Sequence, residues 1–156
     1  MTDSVVAKIF CEHLERFLYD FQSYKKVAEK LGVSESSIKS WLSGRRTPSI
    51  RTLDRIANRI GCSTYQLIKS CYPIECGKLI HNDAHIPFRK KLETIFIERQ
   101  CFSLPQKLNL LQNRISDLML MSYLRKRNNR LPTLWNLETI AQTLGIEAYE
   151  LLLWEE

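Results

Sequence analysis

AEKLGVSESSIKSWLSGRRTPS, residues 28–49, sets four small hydroxyl side chains, Ser34, Ser36, Ser37 and Ser40, along one short span and follows it with Gly44, Arg45 and Arg46. Ser34 is placed to cap a helix. Ile38, Trp41 and Leu42 then fall at i, i+3 and i+4, a narrow apolar stripe that would anchor it. Glu35, Ser36, Lys39, Ser40 and Ser43 point the other way. A helix built only to fill a core would carry larger apolar groups there. This one is trimmed on one face, as if something bulky and anionic had to come close.

Working outward, Ser23 can cap a helix over 24–31 whose inward positions are Val27, Ala28 and Leu31. Gly32 tolerates the positive φ that a tight turn between two helices requires. Downstream, Gly44 ends the trimmed helix, and Ser49 caps another with Ile50, Leu53, Ile56, Ala57 and Ile60 as its buried face. Upstream, Val6, Ile9, Phe10, Leu14, Phe17, Leu18 and Phe21 recur at spacings of three and four.

The chain is 156 residues long, 44% hydrophobic and 26% charged, which suits a globular protein and argues against disorder. Helix formers dominate and there are only five Gly and five Pro, so an all-α fold is expected. The net charge of +6 and pI near 9.1 favour an anionic partner only if the charge has a location. It has one: from Lys39 to Arg59 there are six Lys or Arg and a single acid, Asp54. No apolar run reaches the roughly 20 residues that span a bilayer. The N-terminal MTDSVVAKIFCEHLERF is charged and amphipathic, unlike a signal peptide, so a cytoplasmic protein is expected. Five cysteines without framework-like spacing fit reduced thiols.

The pattern occurs twice. TPSIRTLDRIANRIGCSTYQLI (47–68) aligns with LPTLWNLETIAQTLGIEAYELL (131–152), pairing Pro48 with Pro132, Leu53 with Leu137, Ile56-Ala57 with Ile140-Ala141, Gly61 with Gly145 and Tyr65 with Tyr149. SWLSGRR (40–46) pairs with SYLRKRN (122–128) at a slightly shorter offset, so the second copy has the longer loop. The expected organisation is a domain over 1–70, an irregular Pro- and Gly-bearing linker over 71–87, and a second domain over 88–156.

Ala28, Gly32 and Ile38, within LGVSESSIKSWLSGRRTPSIRTLDRIANRIG, resemble the phage-repressor (Cro/CI, or XRE) helix-turn-helix family, and the resemblance covers residues 4–69. It implies a lambda-repressor-like five-helix domain whose third helix enters the DNA major groove, and hence two such domains in tandem. Leu42 departs from the family, many of whose members carry Glu there. Carried over by position, Glu35, Ser36 and Ser40, then Ser37 and Lys39, are the candidates for base edges. Glu35 could equally cap the helix start. Ser23, Tyr24, Lys25, Ser34, Ser43, Arg45 and Arg46 are the candidates for phosphates. The bland alternative is a scaffold whose arginines are merely solvated.

The second copy cannot read DNA in the same way. Its counterpart helix, SDLMLMSYLRKR, puts Leu118, Met119 and Met121 where Ser36, Ser37 and Lys39 stand in the first. With Leu120, Tyr123 and Leu124 it is apolar nearly all round, and such a helix is buried on both sides. The turn before it lacks a glycine and is lengthened by QNR at 112–114. Pairing between two chains is the simplest cover, cover by the linker or first domain is another, and a ligand or partner helix is a third. RKRNNR, 125–130, is either a nonspecific phosphate contact or a solvated loop.

The function these features point to is a sequence-specific regulator of transcription, binding double-stranded DNA as a homodimer and repressing by default. The competing class is an interaction module of antitoxin or anti-repressor type whose apolar second domain holds a different protein. No cofactor is expected. Cys71, Cys76, His81 and His85 run as C-x4-C-x4-H-x3-H, closer together than zinc-finger pairs usually lie, so no metal site is expected either. Nor is an enzyme, since Cys11 and His13 would face different sides of their helix and no phosphate loop or paired-carboxylate signature occurs.

Overall fold

The computed structural model describes residues 4–154. Among these residues there are eight α-helices and no strands. The chain divides into two compact units, Met1–Asn82 and Asp83–Glu156.

In the first unit α1 (Val5–Phe21), α2 (Tyr24–Leu31), α3 (Glu35–Leu42) and α4 (Ile50–Ile60) are followed by a single 3₁₀ turn, Thr64–Leu67. Each of the four helices starts where a serine side chain accepts a hydrogen bond from the backbone N–H three residues on: Ser4, Ser23, Ser34 and Ser49. Between α2 and α3, Gly32 adopts φ 72° and its N–H donates to the Ala28 carbonyl at 2.9 Å. That left-handed residue closes the turn in three positions, 32–34.

Most of the core follows the apolar spacing, although Ile9, Phe17, Leu18 and Phe21 of α1 and Leu42 of α3 are only half-buried. Val27, Leu31, Ile38, Ile50, Leu53, Ile56, Ala57 and Ile60 are buried, as are Val6, Phe10 and Leu14 of α1. Each of the larger aliphatic side chains contributes about 1.5–3 kcal/mol by leaving water. Trp41 stands edge-on to Phe10, ring centroids 5.6 Å apart, which fixes the C-terminal end of α3 against α1. Cys11 Sγ donates to the Trp41 carbonyl at 3.2 Å, and His13 Nε2 donates to the Lys69 carbonyl at 2.8 Å. The two side chains that a catalytic pairing would need are thus committed to separate backbone groups.

The second unit has the same order: α5 (His85–Glu98), α6 (Leu104–Leu110), α7 (Asp117–Leu124), α8 (Leu134–Leu144) and a 3₁₀ turn, Ala148–Leu152. Phe88 and Tyr123 repeat the edge-on aromatic pair, again at 5.6 Å, and His85 Nε2 donates to the Tyr123 carbonyl at 2.8 Å. Six residues, 111–116, separate α6 from α7. Gln112 and Asn113 take positive φ there, doing with two side-chain-bearing residues what Gly32 does alone.

Two expectations need adjusting. The fifth helix of each five-helix domain is only a 3₁₀ turn. Residues 63–67 have room for one capped turn, in which Gln66 Oε1 accepts the Ser63 N–H at 2.8 Å. The stretch expected as a linker over 71–87 is also not free of the units. Residues 71–82 are tied to the first: Tyr72 donates to Asp20 at 2.9 Å, and the N–H groups of Gly77 and Lys78 donate to the carbonyls of Ile60 and Gly61 at 2.9 and 3.0 Å. Asn82 is buried, bonded to Asn58, to the Cys62 carbonyl at 2.8 Å and to the Thr64 N–H at 3.2 Å. Gly61 is required beneath this strap, since a Cβ there would lie 2.6 Å from the Lys78 carbonyl oxygen. His85 to Pro87 already belong to α5.

Candidate nucleic-acid interface

α3 is a short helix that buries Ile38 and Trp41 and turns the rest of its surface outward. Glu35, Ser36 and Lys39 are exposed, and Ser37 and Ser40 are half-buried at the edges of that face. Ser34 accepts from the Ser37 N–H at 3.1 Å, and its hydroxyl donates to the Ser37 hydroxyl at 2.8 Å. Ser36 Oγ lies 3.2 Å from Ser34 Oγ. These interlocked hydroxyls keep the helix start low, with no side chain longer than serine between Glu35 and Lys39 on the outward side. A helix so trimmed can approach the floor of a groove about 12 Å wide.

The flanks are basic. The Lys39 ammonium sits 5.2 Å from the centroid of the Tyr24 ring, which brings the start of α2 beside the outward face of α3. Ser23 caps α2 there and Lys25 is exposed. At the other end the Ser40 carbonyl accepts from the N–H groups of Arg45 and Arg46 at 3.0 and 3.2 Å. The exposed side chains of Arg45 and Arg46 therefore spring from a loop fixed to the helix they flank. Ser43 also donates its hydroxyl to that carbonyl, at 3.1 Å, so a phosphate contact from Ser43 would require the hydroxyl to turn.

A polar groove of about 380 Å³ opens between the starts of α3 and α4, lined by Ser34, Ser37, Arg46, Ser49, Thr52 and Arg55 among others. Two helix N-termini and two guanidinium groups meet there, the arrangement that favours an anion. Thr52 and Arg55 were not singled out by the sequence reading. The signal for them is present: Ser49, Thr52 and Arg55 recur every three residues on one side of α4, and Arg55 donates to Thr52 Oγ1 at 3.3 Å.

Charge is partitioned in the same sense. Residues 1–82 carry thirteen Lys or Arg against eight Asp or Glu, whereas residues 83–156 carry ten against nine. The first unit therefore holds +5 of the chain's +6. None of the cations on the outward face of α3 or its flanks is held in a salt bridge among the described residues.

In the second unit the corresponding helix, α7, buries Leu120 and Tyr123 but leaves Leu118 73% exposed and Met121 44% exposed, with Met119 half-buried between them. Ser122 donates its hydroxyl to the Met119 carbonyl at 2.7 Å, so α7 offers almost nothing polar outward beyond its first residues.

The four candidate metal ligands do not assemble. Cys71, Cys76 and His81 are exposed, and Cys76 Sγ donates to the Ile74 carbonyl at 3.5 Å, while His85 is buried in α5 on the Tyr123 carbonyl. Among the described residues no three His, Cys, Asp or Glu side chains come together as a metal site. Burial pushes the Cys62 thiol up to about 12, with the neighbouring Cys76 adding to it, which keeps that sulfur protonated. Among the described residues no helix is long and apolar enough to cross a membrane.

Two helices set at a three-residue glycine turn, the second trimmed and flanked by cations, form a helix-turn-helix unit. The helix-turn-helix family matches residues 23–67, which run from the cap of α2 to the 3₁₀ turn after α4, and this supports a DNA-binding transcriptional regulator of the XRE type. No curated protein and no solved structure matches the chain.

Proposed function

We propose that the chain is a sequence-specific repressor that binds double-stranded DNA as a homodimer. In this reading α3 enters the major groove of each half-site. Glu35, Ser36, Ser37, Lys39 and Ser40 meet base edges, while Ser23, Tyr24, Lys25, Ser34, Ser43, Arg45 and Arg46 hold the sugar-phosphate backbone. The observation that carries it is the outward face of α3, polar throughout and no longer than serine between Glu35 and Lys39, with exposed cations at both ends that make no salt bridge among the described residues. The second unit is then a divergent tandem copy of the first. It keeps the element order, the serine cap and the edge-on aromatic pair, and it has exchanged groove reading for association through Leu118, Met119 and Met121. Two copies about a two-fold axis would present their reading helices to half-sites about 34–36 Å apart, or a multiple, and gain affinity by acting together. Bound across a promoter, such a dimer would obstruct polymerase.

One specific observation favours a second reading. The 73% exposure of Leu118 would equally suit a different protein held by α7, as in an antitoxin or anti-repressor. Selection of bound sequences from random duplexes, read with the solution mass of the pure protein, separates the two. A two-fold symmetric consensus and a dimeric mass are expected of the repressor. No enrichment of any sequence would refute it. Replacing Arg45 and Arg46 together by Ala should weaken binding to every duplex and flatten the salt slope by about one to two units.

A further inference from the structure

The α7–α8 loop of the second unit concentrates charge in a way that its parent unit does not. Arg125, Lys126, Arg127 and Arg130 place four cations in six residues. Elsewhere in residues 83–156 there are six Lys or Arg and nine Asp or Glu, so the remainder of the unit is net −3. A basic surface that served only to keep the unit in solution would be spread over it. Here all the excess positive charge is gathered at one loop.

That loop is folded. Arg125 leaves α7 in an extended conformation, with φ −69° and ψ 143°. Asn128 reverses the chain at φ 51°, the Asn129 side chain donates to the Lys126 carbonyl at 3.3 Å, and the Arg130 N–H donates to the Ser122 carbonyl at 3.1 Å. These contacts are made by backbone and amide groups, not by the charged side chains. All four cations are exposed, and none is held in a salt bridge among the described residues. Four like charges within one loop repel one another; the phosphates of an anionic polymer offset that repulsion, and release of the polymer's condensed counterions favours binding.

We propose that the 125–130 loop is a second, sequence-independent phosphate-binding element that grips duplex DNA beside the site read by α3. It rests on the DNA-binding reading of the first unit, which supplies the covalent tether: once α3 is bound, the loop meets flanking phosphates at high effective concentration. The division of labour is then complete, with bases read by the first unit and the second unit adding affinity without preference.

The test uses the full chain and measures the dependence of duplex affinity on salt concentration. Arg125, Lys126, Arg127 and Arg130 are all replaced by Gln. At about 0.9 units per phosphate contact, the variant should lose about two to four units of log–log slope while selecting the same sequence as the unaltered chain. The pairs Arg125→Gln with Lys126→Gln, and Arg127→Gln with Arg130→Gln, should each lose part of it. Arg125→Lys, Arg127→Lys and Arg130→Lys together should keep the slope of the unaltered chain, since charge and not guanidinium geometry is what the phosphates require. An unchanged slope in the fourfold variant and in both pairs would overturn the loop's role, whatever acidic protein or RNA it bound instead. A changed sequence preference would overturn it as well. Failure of the unaltered chain to bind any duplex is a separate result, and it would sink the DNA-binding reading itself.

Discussion

Helices α3 and α7 have the same length, eight residues, and both begin at a serine whose hydroxyl oxygen accepts the N–H three residues on. Both bury an aromatic residue, Trp41 or Tyr123, edge-on to a phenylalanine of the first helix of their unit. Even the carbonyl of that aromatic residue is met by a donor from the same helix in each, Cys11 Sγ or His85 Nε2. The two helices keep apolar side chains of similar size inward, Ile38 and Trp41 against Leu120 and Tyr123, and change in chemical character on the side turned away from their own cores. There α3 shows Glu35, Ser36 and Lys39, and α7 shows Leu118 and Met121. The inward face determines what folds, and the outward face determines what binds. One architecture therefore presents either a polar or an apolar outward face through the side chains at three or four positions.

The equivalence of the two inward faces is the part of the comparison most easily broken. Trp41→Ala and Tyr123→Ala should each cost their unit about 3–5 kcal/mol of stability, measured by urea unfolding. A loss at one position without a comparable loss at the other would mean that the shared aromatic pair is not a shared support.

The outward faces come next. In the proposed homodimer, Leu118→Glu with Met121→Glu should halve the solution mass while leaving helix content unchanged, because both side chains are exposed within one chain. Burial of two such side chains supplies about 1.5–3 kcal/mol each to an association, and charge at both positions removes it. A mass that stays dimeric places the interface elsewhere.

A smaller effect separates the glycines that end α4 and α8. Gly61 and Gly145 take nearly the same conformation, φ 77° and 72°, but a Cβ on Gly145 would meet nothing within 4 Å whereas one on Gly61 would strike the backbone of Gly77 and Lys78. Gly145→Ala should therefore cost about 1–2 kcal/mol, the strain of a left-handed alanine. Gly61→Ala should cost a further 1–3 kcal/mol or so as the strap is displaced. Equal costs would show that the strap yields freely.

The smallest effect is a dependence on pH in the first unit. Burial holds the His13 imidazole below its ordinary 6.5, against the opposing pull of the Lys69 carbonyl. The unfolded chain takes up this proton more readily than the folded one. The stabilisation is therefore present above pH 6.5 and is lost as the pH falls below it. His13→Gln should flatten the acid limb of a stability profile in that window.

Most of the fold was legible because helix boundaries in this chain are set by local chemistry. Ser4, Ser23, Ser34, Ser49, Ser103, Ser116 and Thr133 all cap as hydroxyl residues do, and Gly32, Gly61 and Gly145 all end helices in the left-handed conformation. The apolar spacing of α2 and α4 named their buried residues directly. What was not legible depends on partners distant in sequence. Nothing in CYPIECGKLIHN has helical or strand periodicity, so it read as a connector; its attachment comes from Tyr72 reaching Asp20 and from Asn82 reaching Asn58, Cys62 and Thr64. The groove between α3 and α4 was hidden for a similar reason. Arg46, Thr52 and Arg55 come together only because the loop after α3 folds back toward the start of α4.

Asn82 has a practical consequence. A portable helix-turn-helix cassette cut from this chain after residue 70, where hydrophobic periodicity stops, would leave the Asn58 amide and the Cys62 carbonyl without their buried partner and open the seam beside Gly61. A gene fusion, a protease or an evolutionary shuffling event that moves the first unit intact must carry a dozen residues more.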